Sequence, residues 1–227
     1  SSELSEVQAL ITAVNDAPRL INLQDLDAID EGSAGTWDLR SRFIDVDNEA
    51  ADLVITVRQV GDDGSISELP EWLSLDADGV LSGTPSNTDV GVLKLELTAV
   101  DPLGQLTSQR ISLAVGDVNA SPVFNPDVLE GWAPRVQDGI TTYLRNLNLR
   151  DVVKVDLTTA FDDEDLINND QLSYTVSRDG VSWSESIIGV AEISNGTLTL
   201  QPEGKESVGI QNIQLRATDL QGASNIQ

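Results

Sequence analysis

Apolar and polar residues alternate along much of this chain. Leu93, Leu95, Leu97 and Ala99 are separated by Lys94, Glu96 and Thr98, and Ile213, Leu215 and Ala217 by Gln214, Arg216 and Thr218. Further runs are Leu53/Ile55/Val57, Ile111/Leu113/Val115 and Leu172/Tyr174/Val176. A period of two places one side chain in three dimensions on each face of an extended strand in turn, so these runs predict strands with one buried face and one wet face. Asp-Gly, Asn-Gly and Pro-Leu-Gly signals separate them, as hairpin turns require. No apolar period of 3.6 residues persists beyond two turns. The pattern predicts an all-β chain of two β-sandwiches, each of about seven short strands.

The pattern also repeats. Leu93-Lys-Leu-Glu-Leu-Thr-Ala-Val-Asp101-Pro-Leu-Gly104 is echoed by Asn212-Ile-Gln-Leu-Arg-Ala-Thr-Asp219-Leu-Gln-Gly222, with Asp101 and Asp219 offset by 118 residues. The same offset relates Phe43-Ile-Asp45-Val-Asp47 to Phe161-Asp-Asp163-Glu-Asp165, and Trp37-Asp38-Leu39 to Val155-Asp156-Leu157. The linker segments Val14-Asn-Asp-Ala-Pro18 and Val118-Asn-Ala-Ser-Pro122 are only 104 residues apart, so the second copy carries 14 extra residues near its start. The expected domains are residues 15–119 and 120–227, preceded by a strand within residues 1–14. That opening strand follows from laying Val14-Asn15 on Val118-Asn119, which puts Val7, Ala9 and Ile11 on Ile111, Leu113 and Val115. The first copy has a final strand after Asp101. The second has too few residues after Asp219 to hold a full one, so the expectation is a second domain lacking its last strand, which Val7, Ala9 and Ile11 of a neighbouring copy would complete in a head-to-tail polymer.

Charge and composition narrow the chemistry. Lys+Arg 13 against Asp+Glu 38 gives a net charge of −25 in 227 residues, which repels nucleic acid and anionic membranes. Cys, His and Met are absent, which removes thiolate and imidazole catalysis, zinc sites built on nitrogen and sulfur, and disulfides. Carboxylates, hydroxyls and amides remain, and a chain that is 40% hydrophobic can still bury a core. No stretch is long and apolar enough to span a membrane. The opening Ser1-Ser2-Glu3 lacks an initiator Met and reads as a processed or excised piece, and the composition points to an extracellular protein.

Six motifs of the first copy occur in a recognisable order: Asn15-Asp-Ala-Pro18, Phe43-Ile-Asp-Val-Asp47, Leu69-Pro-Glu-Trp-Leu-Ser-Leu75, Gly79-Val-Leu-Ser-Gly-Thr-Pro85, Asp89-Val-Gly91 and Thr98-Ala-Val-Asp-Pro-Leu-Gly104. Over residues 15–119 the chain resembles the dystroglycan-type cadherin-like (Ig-like) repeats of large bacterial surface adhesins. The second copy resembles a divergent member: it keeps the acidic motif but lacks Pro-x-Trp-Leu. The resemblance implies Greek-key sandwiches and Ca²⁺ bound between successive domains. Its implied ligands are Asn15, Asp16, Asp45, Asp47 and Asp101 at the start of the first domain. At the next junction they are Asp163, Asp165 and Asp219 with Asp117, Asn119, Glu31 and Asp89, where Ala120 stands in place of an expected Asp. A hard cation takes six to eight oxygens, and three carboxylates brought together twice at matched spacing suit it better than they suit each other. A single Asp in a turn needs no metal, because its side chain bonds nearby backbone N–H groups.

Four tryptophans remain. Trp37 and Trp72 read as core anchors. Trp132, inside the 14-residue surplus, and Trp183 read either as core or as rings that stack on sugar. Paired carboxylates such as Asp162-Asp163 could serve a glycosidase, but nothing supplies the apolar pocket that separates their acidities, so no enzyme is expected. Asn195-Gly196-Thr197 fits both a glycosylation acceptor and a tight turn. The leading expectation is an extracellular, calcium-stiffened adhesive or filament segment whose partners are adjacent repeats, neighbouring copies, or a surface glycan or protein. The alternative is a carbohydrate-binding module.

Overall fold

The computed structural model describes residues 14–137 and 140–227. The proposed donor positions Val7, Ala9 and Ile11 lie outside the described residues. The chain divides into two compact units between Asp117 and Val118.

In the first unit the alternating run Gly91–Val100 is the centre of a five-stranded sheet. Leu106–Gly116 pairs with it antiparallel along its whole length, from Leu106 opposite Val100 to Val115 opposite Gly91. Val54–Val60 flanks its other side, Ile66–Ser67 closes that edge, and Ile29–Asp30 runs parallel to the end of Leu106–Gly116. A three-stranded sheet of Gly35–Asp38, Val80–Gly83 and Leu73–Leu75 packs against the inner face. The predicted inward residues Leu95, Leu97, Ala99, Ile111 and Leu113 meet Trp37, Leu39, Leu73 and Leu81 in one core. Each large aliphatic side chain sealed there contributes about 1.5–3 kcal/mol. Trp37 is an anchor as expected, and its indole N–H donates to the Asp27 carbonyl at 3.0 Å. Trp72 packs against the same core. A Cβ at Gly83 would collide with the Trp72 carbonyl, which is why the Gly-Thr-Pro motif opens with glycine at this crossing.

The second unit repeats the plan with shorter strands. Val153–Asp156, Thr197–Leu200, Ala191–Ser194 and Ser186–Ile187 form one sheet, and Ser173–Ser177, Gln214–Thr218 and Ser224–Ile226 the other. Val153, Val155, Leu198, Leu200, Val176 and Ala217 fill the space between them with Leu157 and Phe161. Asn195 and Gly196 both have positive φ (48° and 71°), the geometry of a two-residue hairpin turn. A three-residue strand, Ser224–Ile226, stands where the sequence suggested a missing last strand, paired to Gln214–Thr218. The surplus segment folds as a separate hairpin, Ala133–Gln137 with Ile140–Leu144. Aromatic contacts tie it down: Tyr143 meets Phe124 edge-on at 6.0 Å, and Phe124 meets the core residue Phe161 at 5.2 Å. Trp132 packs against the core at the root of this hairpin, so the reading of it as a displayed sugar platform gives way to a structural one.

Candidate metal centre

Both units close around an acidic cluster at the turn that follows the central strand. In the first unit Asp101 opens the Pro-Leu-Gly turn, and its Oδ1 accepts the Leu103 and Gln105 N–H groups, each at 2.9 Å. Its Oδ2 accepts Asn15 Nδ2 at 2.7 Å. Asp45, just after the buried Phe43, takes the Asp47 N–H, the Asn48 N–H and Asn48 Nδ2 on a single oxygen, Oδ1. Asp47 Oδ2 accepts the Asp16 N–H at 2.8 Å. Hydrogen bonds thus link Asn15 to Asp101, Asp16 to Asp47 and Asp47 to Asp45, and both oxygens of Asp101 have donors. Burial pushes the Asp101 pKa up, but the bonds from Asn15, Gln105 and Leu103 outweigh it and hold the pKa below the usual carboxylate value.

The second unit uses the same wiring. Asp219 Oδ1 accepts the Gly222 and Ala223 N–H groups at 2.6 and 2.8 Å, and its Oδ2 accepts Asn119 Nδ2 at 3.0 Å. Asp163 Oδ1 accepts the Asp165 N–H, and Asp165 Oδ2 accepts the Ala120 N–H at 2.7 Å. The contact at Ala120 is made by backbone, so the absence of Asp at that position leaves it intact. A fourth carboxylate joins here. Asp170 Oδ1 accepts the Gln171 and Leu220 N–H groups at 2.7 and 3.0 Å, and one oxygen each from Asp163, Asp170 and Asp219 lie within 4.8 Å of one another. Asp170 is not among the residues the motifs picked out. Tyr174 pairs with Ala217 where Ile55 pairs with Ala99, so the loop before this strand is one residue longer in the second unit: register counts Asp170 back to Ala51, whereas the 118-residue offset alone would lay it on Asp52.

The second cluster is deeply buried, with Asp163, Asp165 and Asp170 exposing 4%, 0% and 7% of their surface. Asp163 Oδ2, Asp165 Oδ1 and Asp170 Oδ2 are sealed from solvent with no hydrogen-bond partner, whereas in the first cluster only Asp45 Oδ2 is so placed. A buried, unpaired acceptor costs about 1–3 kcal/mol, and more when it is charged. Burial, followed by the neighbouring charges of Asp165, Asp170 and Asp219, pushes the Asp163 carboxyl above its usual range. The convergence of Asp163, Asp170 and Asp219, two of them with a sealed oxygen that lacks a donor, is what a cation needs. With no nitrogen or sulfur in the set, the fit is to a hard, oxygen-seeking cation of the Ca²⁺ or Mg²⁺ kind.

The remaining residues implied as ligands lie at the other end of the first unit's last strand. The Glu31 N–H bonds the Gly116 carbonyl at 3.0 Å, and a carboxylate oxygen of Glu31 lies within 4.8 Å of one from Asp117. Asp89 is differently occupied: its Oδ2 accepts both the N–H and the hydroxyl of Ser86, capping its own short turn.

Residues 20–116, most of the first unit, match the He_PIG family model, described as "Putative Ig domain". No curated protein matches the chain. Among solved structures, the extracellular cadherin domains 1–4 of protocadherin gamma B7 are 16% identical, with a TM-score of 0.54 over 93% of this chain and 48% of that one. Domains 1–5 of protocadherin gamma B2 give 16% identity and a TM-score of 0.56, over 95% of this chain and 39% of that one. Mouse cadherin-23 EC22-24 gives 16% and 0.52, over 94% and 65%. The chain thus spans about half or less of the protocadherin chains. At these identities the likeness defines the fold: tandem β-sandwich repeats of the cadherin and immunoglobulin kind. Among the described residues no helix is long and apolar enough to cross a membrane.

Proposed function

We propose that this chain is a calcium-binding structural or adhesive segment of an extracellular repeat protein, of the kind found in dystroglycan-type bacterial surface adhesins. Its sandwich repeats correspond to residues 15–119 and 120–227, and adjacent repeats are its partners. One observation carries the reading: carboxylate oxygens of Asp163, Asp170 and Asp219 lie within 4.8 Å of one another in the second unit, and Asp163 Oδ2 and Asp170 Oδ2 are sealed without a donor. In this reading Asp163, Asp165, Asp170 and Asp219 hold the ion, and Asn119 and the Ala120 backbone orient two of them. A bound cation removes the mutual repulsion of the carboxylates and locks the loops that carry them. The role is mechanical, and no side chain has a catalytic task. Extracellular placement is supported by the absence of cysteine and by the extracellular domains among the structural neighbours.

Affinity on the order of 10⁻⁴–10⁻³ M is expected, as for other extracellular calcium modules. Titration calorimetry of the whole chain with Ca²⁺ tests this. The double variant Asp163→Asn/Asp170→Asn should lose the heat of the tightest site. Unchanged binding in that variant would remove the proposal.

A further inference from the structure

The loop after Ser173–Ser177 folds a tryptophan over the outer face of its own sheet. Asp179 fixes that loop, its Oδ1 accepting the Val181 and Ser182 N–H groups and the Ser177 hydroxyl at 2.8–2.9 Å. These bonds, led by those from Ser182 and Val181, hold the Asp179 carboxyl far below its usual range, so the anchor stays ionised near neutral pH. Trp183 then closes back, its indole N–H donating to the Gly180 carbonyl at 3.2 Å. Its ring lies 4.4 Å from the guanidinium carbon of Arg216.

Strand register places Arg216 in a rank across three strands, opposite Thr175 on one side and Ile226 on the other. Tyr174, Val176, Leu215 and Ala217 pack in the core, so these three residues point outward. Among the described residues three cationic side chains are half-buried: Arg40, Arg42 and Arg216. Arg40 donates to the carbonyls of Asp78, Ala50, Ala51 and Ala77, and Arg42 to those of Gln24 and Asp25. Among the described residues the Arg216 side chain has neither a hydrogen bond nor an ion pair, and it makes a cation–π contact with Trp183. Its Nε and the Thr175 hydroxyl are sealed and unsatisfied, whereas its two Nη groups are not sealed. A half-buried guanidinium set against an indole ring, in a chain with nearly three acids per base, has no acceptor for its outward N–H groups.

We propose that this face binds a sugar bearing a carboxylate, with the Arg216 Nη groups taking the carboxylate as a two-pronged pair and Trp183 giving the apolar wall against which the pyranose ring rests. A planar carboxylate matches the guanidinium fork, and an aromatic ring presents an apolar face to the C–H side of a sugar. The chain's strong negative charge repels anions at long range, so recognition here rests on the short-range fork. This site lies apart from the acidic cluster, and its function does not depend on the calcium reading.

The test is a ¹⁵N NMR titration of the whole chain in EDTA, following the four indole N–H signals and the Arg216 Nε–H. The probes are methyl glucuronide, methyl glucoside and acetate. Glucuronide should move the Trp183 and Arg216 signals, saturating in the millimolar range, and leave Trp37 and Trp72 unmoved. Glucoside and acetate should each bind at least about tenfold more weakly, since one lacks the charge and the other the ring. Arg216→Gln should weaken glucuronide binding about tenfold or more, and Trp183→Ala similarly. Arg216→Lys, which keeps the charge and so guards against loss of folding, should still lose most of the affinity with the fork. No response to glucuronide, equal binding of glucoside or acetate, or unchanged affinity in a folded Arg216 variant would each overturn the proposal.

Discussion

Asn15 and Asn119 do the same thing one repeat apart, each donating its side-chain amide to the aspartate that opens the turn after the central strand. The next backbone N–H in each unit, that of Asp16 or Ala120, caps the second aspartate of the Phe-x-Asp-x-Asp motif. The outcome differs. In the first unit one sealed carboxylate oxygen lacks a donor, and in the second three do, because the cluster is deeper and Asp170 stands where the first unit has Ala51. Identical wiring can therefore give a self-satisfied polar end in one sandwich and a site that asks for a cation in the other. What separates them is the number of acceptors left over after the backbone has given its donors.

The largest expected effect is a change of sign. Asp170→Asn keeps the oxygen that accepts Gln171 and Leu220 but removes a charge, so in EDTA the variant should be more stable than the parent by about 1–3 kcal/mol. With calcium at 100 times its dissociation constant the parent gains about 2.7 kcal/mol and the variant little, so the order should reverse. Calorimetric melts of both proteins, with and without calcium, check this. Ala51→Asp in the first unit should lower stability in EDTA and create a calcium response there.

The smaller effect of pH also has opposite signs in the two units. Asp163 is raised above its unfolded value near 3.8, so the native second unit binds protons more readily. In EDTA its stability should therefore increase as pH falls through the raised value towards 3.8 and be lowest above it. Asp101 is lowered, so its contribution is present above 3.8 and is lost as pH falls through its native value. Hydrogen exchange resolved by unit between pH 3 and 7 should show opposite slopes from these two residues, and Asp163→Asn should flatten that of the second unit.

The sandwich fold was legible in the sequence because alternation with a period of two and the 118-residue offset are local or linear properties. Leu93 to Ala99 and Ile213 to Ala217 needed no tertiary information to be read as strands. The aspartates on the offset were legible for the same reason. Asp170 was not, since it lies outside the Phe-x-Asp-x-Asp motif and reaches Asp163 and Asp219 only through the way the loops pack. Nor was the partner of Trp183, because Arg216 meets it through a loop closing over a sheet face. The 14-residue surplus was visible as a length difference, but its hairpin, held through Tyr143 on Phe124, and the packing of Trp132 against the core depend on tertiary contacts.

The smallest effect concerns the backbone. Arg150 has φ +70° at the position of Gly32, also +70°, and both N–H groups bond an equivalent carbonyl, that of Pro202 or Pro85. An L residue is strained there by about 1 kcal/mol, so Arg150→Gly should raise the melting temperature of the second unit by a few degrees and leave the first unchanged.

The most direct test of the difference between the clusters is a calcium titration followed by ¹⁵N NMR on the amides that cap their carboxylates: Ala120, Gln171 and Leu220 in the second unit, and Asp16, Leu103 and Gln105 in the first. The account predicts that the second set shifts and saturates at a calcium concentration at least about tenfold lower than the first, in the range on the order of 10⁻⁴–10⁻³ M. Both sets responding together, the first responding before the second, or no response from the second would contradict it.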